Sequence, residues 1–132
     1  MNYIVLDLEW NQCPTGKSNE ITNLPFEIIE IGAVKLNDTL QETDRFREVV
    51  QPQVYKKLHF RTKEIVSLRS IDFESARSFP EIIKDFLAWC GEQPAFCTWG
   101  PADLMELQRN LAYHKIPSPF PFPFLYYDIQ KI

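Results

Sequence analysis

Eight residues near the N-terminus, Tyr3-Ile4-Val5-Leu6-Asp7-Leu8-Glu9-Trp10, constrain this chain more than any other stretch. An apolar run this short, followed by polar Asn11 and Gln12, predicts a buried β-strand. Side chains alternate along a strand, so Asp7 and Glu9 share one face, one pleat apart. Two carboxylates at the end of a buried strand repel each other and lose hydration. They need protons, hydrogen-bond donors or a cation. A hard divalent ion such as Mg²⁺ or Mn²⁺ accepts oxygen ligands of this kind. A strand running into a solvated loop, with both acids wet, satisfies the same pattern, so other parts of the chain have to decide.

A length of 132 residues suits one domain with one core. No run reaches the roughly 18–20 apolar residues of a membrane span, so no membrane partner is expected. No basic region, apolar core and cleavage site precede the first strand, so no signal peptide is expected. The three cysteines, Cys13, Cys90 and Cys97, are odd in number and form no C-x-x-C, which argues against a disulfide framework or a zinc site. Cys90 and Cys97 sit in apolar sequence as core fillers. A reducing, cytoplasmic compartment is the expectation.

The net charge of −4 argues against a large non-specific nucleic-acid surface. Its distribution is uneven. Seven basic residues between Arg45 and Arg69 stand against Glu48 and Glu64, a local +5 on a body of −9. That suits a phosphate track beside an acidic, metal-loaded site, and equally a solvated face.

In chain order, Cys13 to Pro25 has loop composition. Glu27–Leu36 predicts a central strand; Glu27 precedes its apolar part and Glu30 interrupts it. Either could face the site, but each is expected as a strand-end acid paired with a nearby Lys or Arg, Glu30 more clearly than Glu27. Glu42–Val50 alternates and ends before Pro52 as an antiparallel edge strand. Thr62–Leu68 suits a short helix capped by Thr62. Ser78-Phe79-Pro80-Glu81 opens a firmer helix through a capping box, and Gly91 ends it. Ala95–Trp99 is another short buried strand. Asp103–Tyr113 is a helix with Leu104, Leu107, Leu111 and Ala112 inward. Prolines alternate from Pro117 to Pro123 as an extended connector. Leu125–Ile129 is a last strand. The order β-β-β-α-α-β-α-β predicts a mixed sheet with helices on its faces, an α/β architecture.

Asp103 follows Thr98-Trp99-Gly100-Pro101-Ala102, at the junction of a buried strand and a helix, where sites of α/β sheets gather. The helix N-terminus is expected to lower its pKa. With Asp7-Leu8-Glu9, the sequence Pro25–Val34, the helix Ser78–Trp89 and the Thr98–Asp103 turn in that order, the chain resembles the DnaQ-like 3′–5′ exonucleases of the DEDD superfamily. The branch is that of the RNase T, KapD and ERI-type enzymes, and the likeness covers nearly the whole chain.

The resemblance implies a ribonuclease H-like, mixed five-stranded sheet flanked by helices. It implies a metal-dependent exonuclease acting at single-stranded 3′ ends, RNA favoured over DNA, with two Mg²⁺ or Mn²⁺ ions held by Asp7, Glu9 and Asp103. Asp7 would bridge the ions, Glu9 would hold the water-activating one and Asp103 the other. Leu8 and Trp10 are weaker candidates for contact with the terminal nucleotide. Trp99 and Leu107 are expected in core and framing roles. The family's general-base His and the Asp that follows it lie on a helix after the last strand. Neither His59 nor His114 has an Asp at that offset, and both are expected at the surface or in packing. The chain is therefore expected to be the 1–132 part of an exonuclease domain that is incomplete at its C-terminus, catalytically impaired, and prone to dimerise through the face left by the missing helix. The alternative is a non-catalytic nucleic-acid-binding or regulatory module on the same fold.

Overall fold

The computed structural model describes residues 2–17, 23–67, 72–118 and 126–131. The first apolar run is strand β1, Tyr3–Gln12, and it continues through Asn11 and Gln12. Strands β2 (Phe26–Leu36) and β3 (Glu42–Val49) follow it antiparallel. Helices α1 (Phe60–Ser67) and α2 (Phe79–Cys90) come next. Strand β4 (Ala95–Thr98), helix α3 (Ala102–Tyr113), strand β5 (Tyr126–Asp128) and a 3₁₀ turn at Ile129–Lys131 complete the described chain. The sheet order is β3-β2-β1-β4-β5, mixed and five-stranded as the element order predicted.

Burial follows the pleat. Ile4, Leu6 and Leu8 of β1 join Ile28, Ile31 and Ala33 of β2 in a core with Ile82, Ile83 and Phe86 of α2 and Leu104, Leu107 and Leu111 of α3. Cys90 closes this core fully buried, and burial pushes its thiol up to about 12, which makes it inert.

Several local expectations fall differently. Helix α1 starts at Phe60, so Thr62 lies inside it, buried, with its Oγ1 donating to the Trp10 carbonyl at 3.5 Å. A hydroxyl taken by a neighbouring strand does not cap its own helix. At α2, Ser78 Oγ meets Glu81 Oε1 at 3.2 Å, and no side chain caps a backbone N–H. Ala112 faces outward on α3; the inner stripe runs through Leu104, Glu106, Leu107, Asn110 and Leu111. Trp99 is 68% exposed and Leu107 fully buried, so only Leu107 has the core role expected of both. Thr98 takes the inward position at the end of β4, and alternation turns Trp99 out. Most of the proline-alternating connector lies outside the described residues.

Register positions the site. Strand β4 pairs with β1 in parallel only at Tyr3, Ile4 and Val5. Beyond Val5, β4 turns away and the carboxyl half of β1 borders the start of α3. On its other edge β1 stays paired to β2 through Gln12, with a shift between Glu9 and Trp10.

Candidate active site

Asp7 and Glu9 occupy the carboxyl half of β1 and face away from Leu6 and Leu8. Asp7 is exposed and Glu9 partly buried. The junction that carries Asp103 is held from two sides. Buried Thr98 donates its Oγ1 hydrogen to the Gly100 carbonyl at 2.7 Å, and the Gly100 N–H donates to Asp128 Oδ1 at 2.9 Å. Gly100 sits at φ +79°, a left-handed conformation that side chains disfavour. This bend turns the chain from β4 into α3 and sets Asp103 in the first helical turn.

Asp103 stands within electrostatic range of both β1 acids. Burial, then the Asp7 carboxylate and further the Glu9 carboxylate, push its carboxyl up to about 6, against a lowering hydrogen bond from the Leu8 backbone. The expected lowering by the helix N-terminus is therefore outweighed. A helix end is worth a fraction of a kcal/mol to about 2 kcal/mol, whereas lost hydration and two like charges act together on this group. The structure sets Asp103 beside the strand that carries Asp7 and Glu9, with its carboxyl bonded by the Leu8 backbone.

Leu8 and Trp10 take other places. The Leu8 side chain is 4% exposed and packs in the core, so what Leu8 offers this site is its backbone N–H. Alternation requires this, because Asp7 and Glu9 occupy the other face. Trp10 packs on Phe26, ring centroids 5.6 Å apart. His114 caps the far end of α3, stacked on Phe79 at 5.0 Å, with burial lowering its pKa. Its position eleven residues beyond Asp103 places it about 16 Å along the helix axis. His59 packs on Phe60 at 4.5 Å, and its Nδ1 accepts from the Arg61 N–H at 3.2 Å.

Two positioning residues escaped sequence reasoning. Asn11 is fully buried and ties β1 to the segment before α1. Asp128 holds the Gly100 turn and also accepts from the Gln130 N–H at 3.1 Å. Their signal is a polar residue at the end of an apolar strand, which many solvated loops share. Glu30 pairs with Arg47 at 3.2 Å, as its sequence setting suggested. Glu27 instead receives three backbone N–H groups, from Gln53 at 2.8 Å, Val54 at 3.0 Å and Tyr55 at 2.8 Å.

The donor set of three carboxylates that repel one another suits a hard divalent cation by charge and by oxygen chemistry. Among the described residues no group of three His, Cys, Asp or Glu side chains is gathered closely enough to enclose an ion. Among the described residues no helix is long and apolar enough to cross a membrane.

Comparison with known proteins agrees with this arrangement. The chain is 32% identical over 87 residues to the PolC-type DNA polymerase III of Thermotoga petrophila, covering 66% of this chain and 6% of that protein. The nuclease domain of 3′hExo, a DEDDh family member solved bound to rAMP, superposes with a TM-score of 0.77 at 23% identity, over 98% of this chain and 67% of that one. The cell-death related nuclease 4 (CRN-4) superposes with a TM-score of 0.70 at 19% identity, over 89% of this chain and 42% of that one. At those identities the superpositions establish the ribonuclease H-like exonuclease fold. Residues 4–118 match the family RNase_T, described as exonuclease, and the chain belongs to that family of phosphodiester hydrolases.

Proposed function

We propose that this domain removes nucleotides from the 3′ end of single-stranded nucleic acid, RNA in preference to DNA, with divalent cations held by Asp7, Glu9 and Asp103. The observation that carries this reading is the placement of Asp103, at the start of the helix that follows β4, against the carboxyl half of the strand that holds Asp7 and Glu9, bonded to its Leu8 backbone. When bound, such cations supply a polarised water and charge stabilisation for the phosphodiester. The protein's own part is placement. The exposed Asp7 carboxylate suits the shared ligand position, Glu9 flanks it on the same strand face, and Asp103 closes the group from α3. The Leu8 N–H orients the Asp103 carboxylate, and the Thr98–Gly100–Asp128 clamp holds the turn that leads into it. The preference for RNA draws on the rAMP held by the 3′hExo domain.

The direct test uses a 5′-labelled single-stranded oligoribonucleotide and its DNA equivalent with Mn²⁺. Stepwise shortening from the 3′ end, faster on RNA and lost on chelation, is the expected result. A second reading, a binding module without chemistry, is favoured by the placement of the two described histidines. His114 is remote from the acids and His59 engages its own loop. Retention of intact oligonucleotide over many hours with Mn²⁺ present would establish that reading and sink the first.

A further inference from the structure

A second feature lies at the same end of β1 as the acids. A cavity of about 530 Å³ is lined by Pro14, Thr15, Lys57, Leu58, Phe60 and Lys63. Pro14 and Thr15 follow β1 directly. The opposite wall is fastened to that strand by Asn11, whose Nδ2 donates to the Tyr55 carbonyl at 2.9 Å and the Lys57 carbonyl at 3.2 Å. Its Oδ1 accepts from the His59 N–H at 2.9 Å, and Thr62 adds its bond to Trp10. The strand that carries Asp7 and Glu9 and the wall that carries the two lysines are thus one packed unit.

The lining has a definite chemistry. Lys57 and Lys63 are exposed, and among the described residues neither has a carboxylate partner. Phe60 leaves 62% of its surface in water, with the Arg61 guanidinium carbon 5.7 Å from its ring centroid. Two unpaired ammonium groups beside an aromatic ring that stays largely exposed although His59 packs on it, with an apolar floor, match a nucleotide of a single strand, with its phosphate on the cations and its base against the ring. We propose that this cavity is the subsite for a nucleotide upstream of the 3′ end, with Lys57 and Lys63 on the phosphate and Phe60 under the base. The inference rests on the nuclease reading for the direction of the strand and extends it to a second point of contact.

The test is an anisotropy titration of a labelled eight-nucleotide single-stranded RNA in EDTA at several KCl concentrations. Lys57→Gln with Lys63→Gln should weaken binding roughly tenfold or more and reduce the salt slope by about 0.7–1.4, the share of one or two phosphate contacts on a single strand. Phe60→Ala should weaken it roughly fivefold to a hundredfold with the slope unchanged. Thermal unfolding checks that each variant is folded. Folded variants with unchanged affinity and slope overturn the proposal, as does native protein that fails to bind the RNA. An acidic peptide that displaces the RNA with equal affinity for native protein and Phe60→Ala overturns it in favour of a protein ligand. Because no divalent cation is present, the result is separable from the shortening assay. Protein that binds as described yet never shortens the strand overturns the nuclease reading and leaves the subsite standing.

Discussion

Glu27 and Asp103 are both carboxylates withdrawn from water in the same fold, and they are treated in opposite ways. Glu27 is 4% exposed and receives three backbone N–H groups from the 53–55 segment. Its charge is matched by donors that the loop needs to place in any case, so acid and loop hold each other. Asp103 has one backbone bond, from Leu8, and two carboxylates for company. Burial alone therefore does not mark a functional acid. What separates Asp103 from Glu27 is burial that the protein leaves largely uncompensated by donors.

The largest expected difference between the two acid sites is in activity. Asp7→Asn should lower the rate of 3′ shortening roughly 10²–10³-fold, equivalent to about 3–4 kcal/mol, by removing a charged oxygen ligand that would hold the divalent cation at the reacting phosphate. Rates of the folded variant and the native protein on the same RNA measure this. An unchanged rate would take Asp7 out of the site.

Glu27→Ala should act on the other ledger. It leaves one buried and two part-buried N–H groups without an acceptor, and at about 1–3 kcal/mol for a buried unsatisfied group, less for those that water can reach, a loss near 3 kcal/mol is expected. Urea denaturation measures it. The folded fraction should keep its specific nuclease rate. A stable but inactive Glu27→Ala would move Glu27 into the catalytic group and break the comparison.

Asp103→Asn should do the reverse: abolish shortening and make the metal-free protein more stable. The carboxyl is raised from 3.8 to about 6 on folding, so between those pH values the folded state binds more protons than the unfolded state. Stability is then greatest below about pH 4, falls as pH rises towards 6, and stays lower above it. The Asn variant lacks that fall and should gain about 1–2 kcal/mol at pH 8, discounted for solvent access. Mn²⁺ at ten times its Kd should restore about 1.4 kcal/mol to the native protein and less to the variant. Parallel pH profiles for the two proteins would refute the repulsion inferred here.

The contrast also explains what the sequence disclosed. The β1 acids were legible because an apolar run and a two-residue spacing fix their face locally. Asp103 was legible because a buried strand, a glycine turn and a helix start follow one another without interruption. The donors on Glu27 were not, because main-chain N–H groups twenty-six to twenty-eight residues away carry no side-chain signature. Asn11 and Asp128 were missed for the same reason, since their partners lie far along the chain and are backbone atoms. The sign of the Asp103 shift was misread because a helix end is visible in one segment, whereas repulsion from β1 exists only once the sheet has formed.

Glu106 lies between the two cases and sets the smallest test. It is 5% exposed; Oε1 accepts from Arg109 Nη1 at 2.8 Å, while Oε2 is buried with no partner among the described residues. Burial raises its pKa and Arg109 opposes the rise. The folded state therefore favours the protonated acid, and stability should drift down as pH rises above its unfolded value of 4.5. Glu106→Gln keeps the shape and removes that drift, but it also weakens the bond to a half-exposed arginine, so a net change below about 1 kcal/mol is expected at pH 8. Denaturant midpoints at pH 5 and pH 8 decide it. A loss of several kcal/mol would place Glu106 beside Glu27 as a matched acid. A gain as large as that of Asp103→Asn would place it with the repelled group, although among the described residues no second carboxylate acts on it.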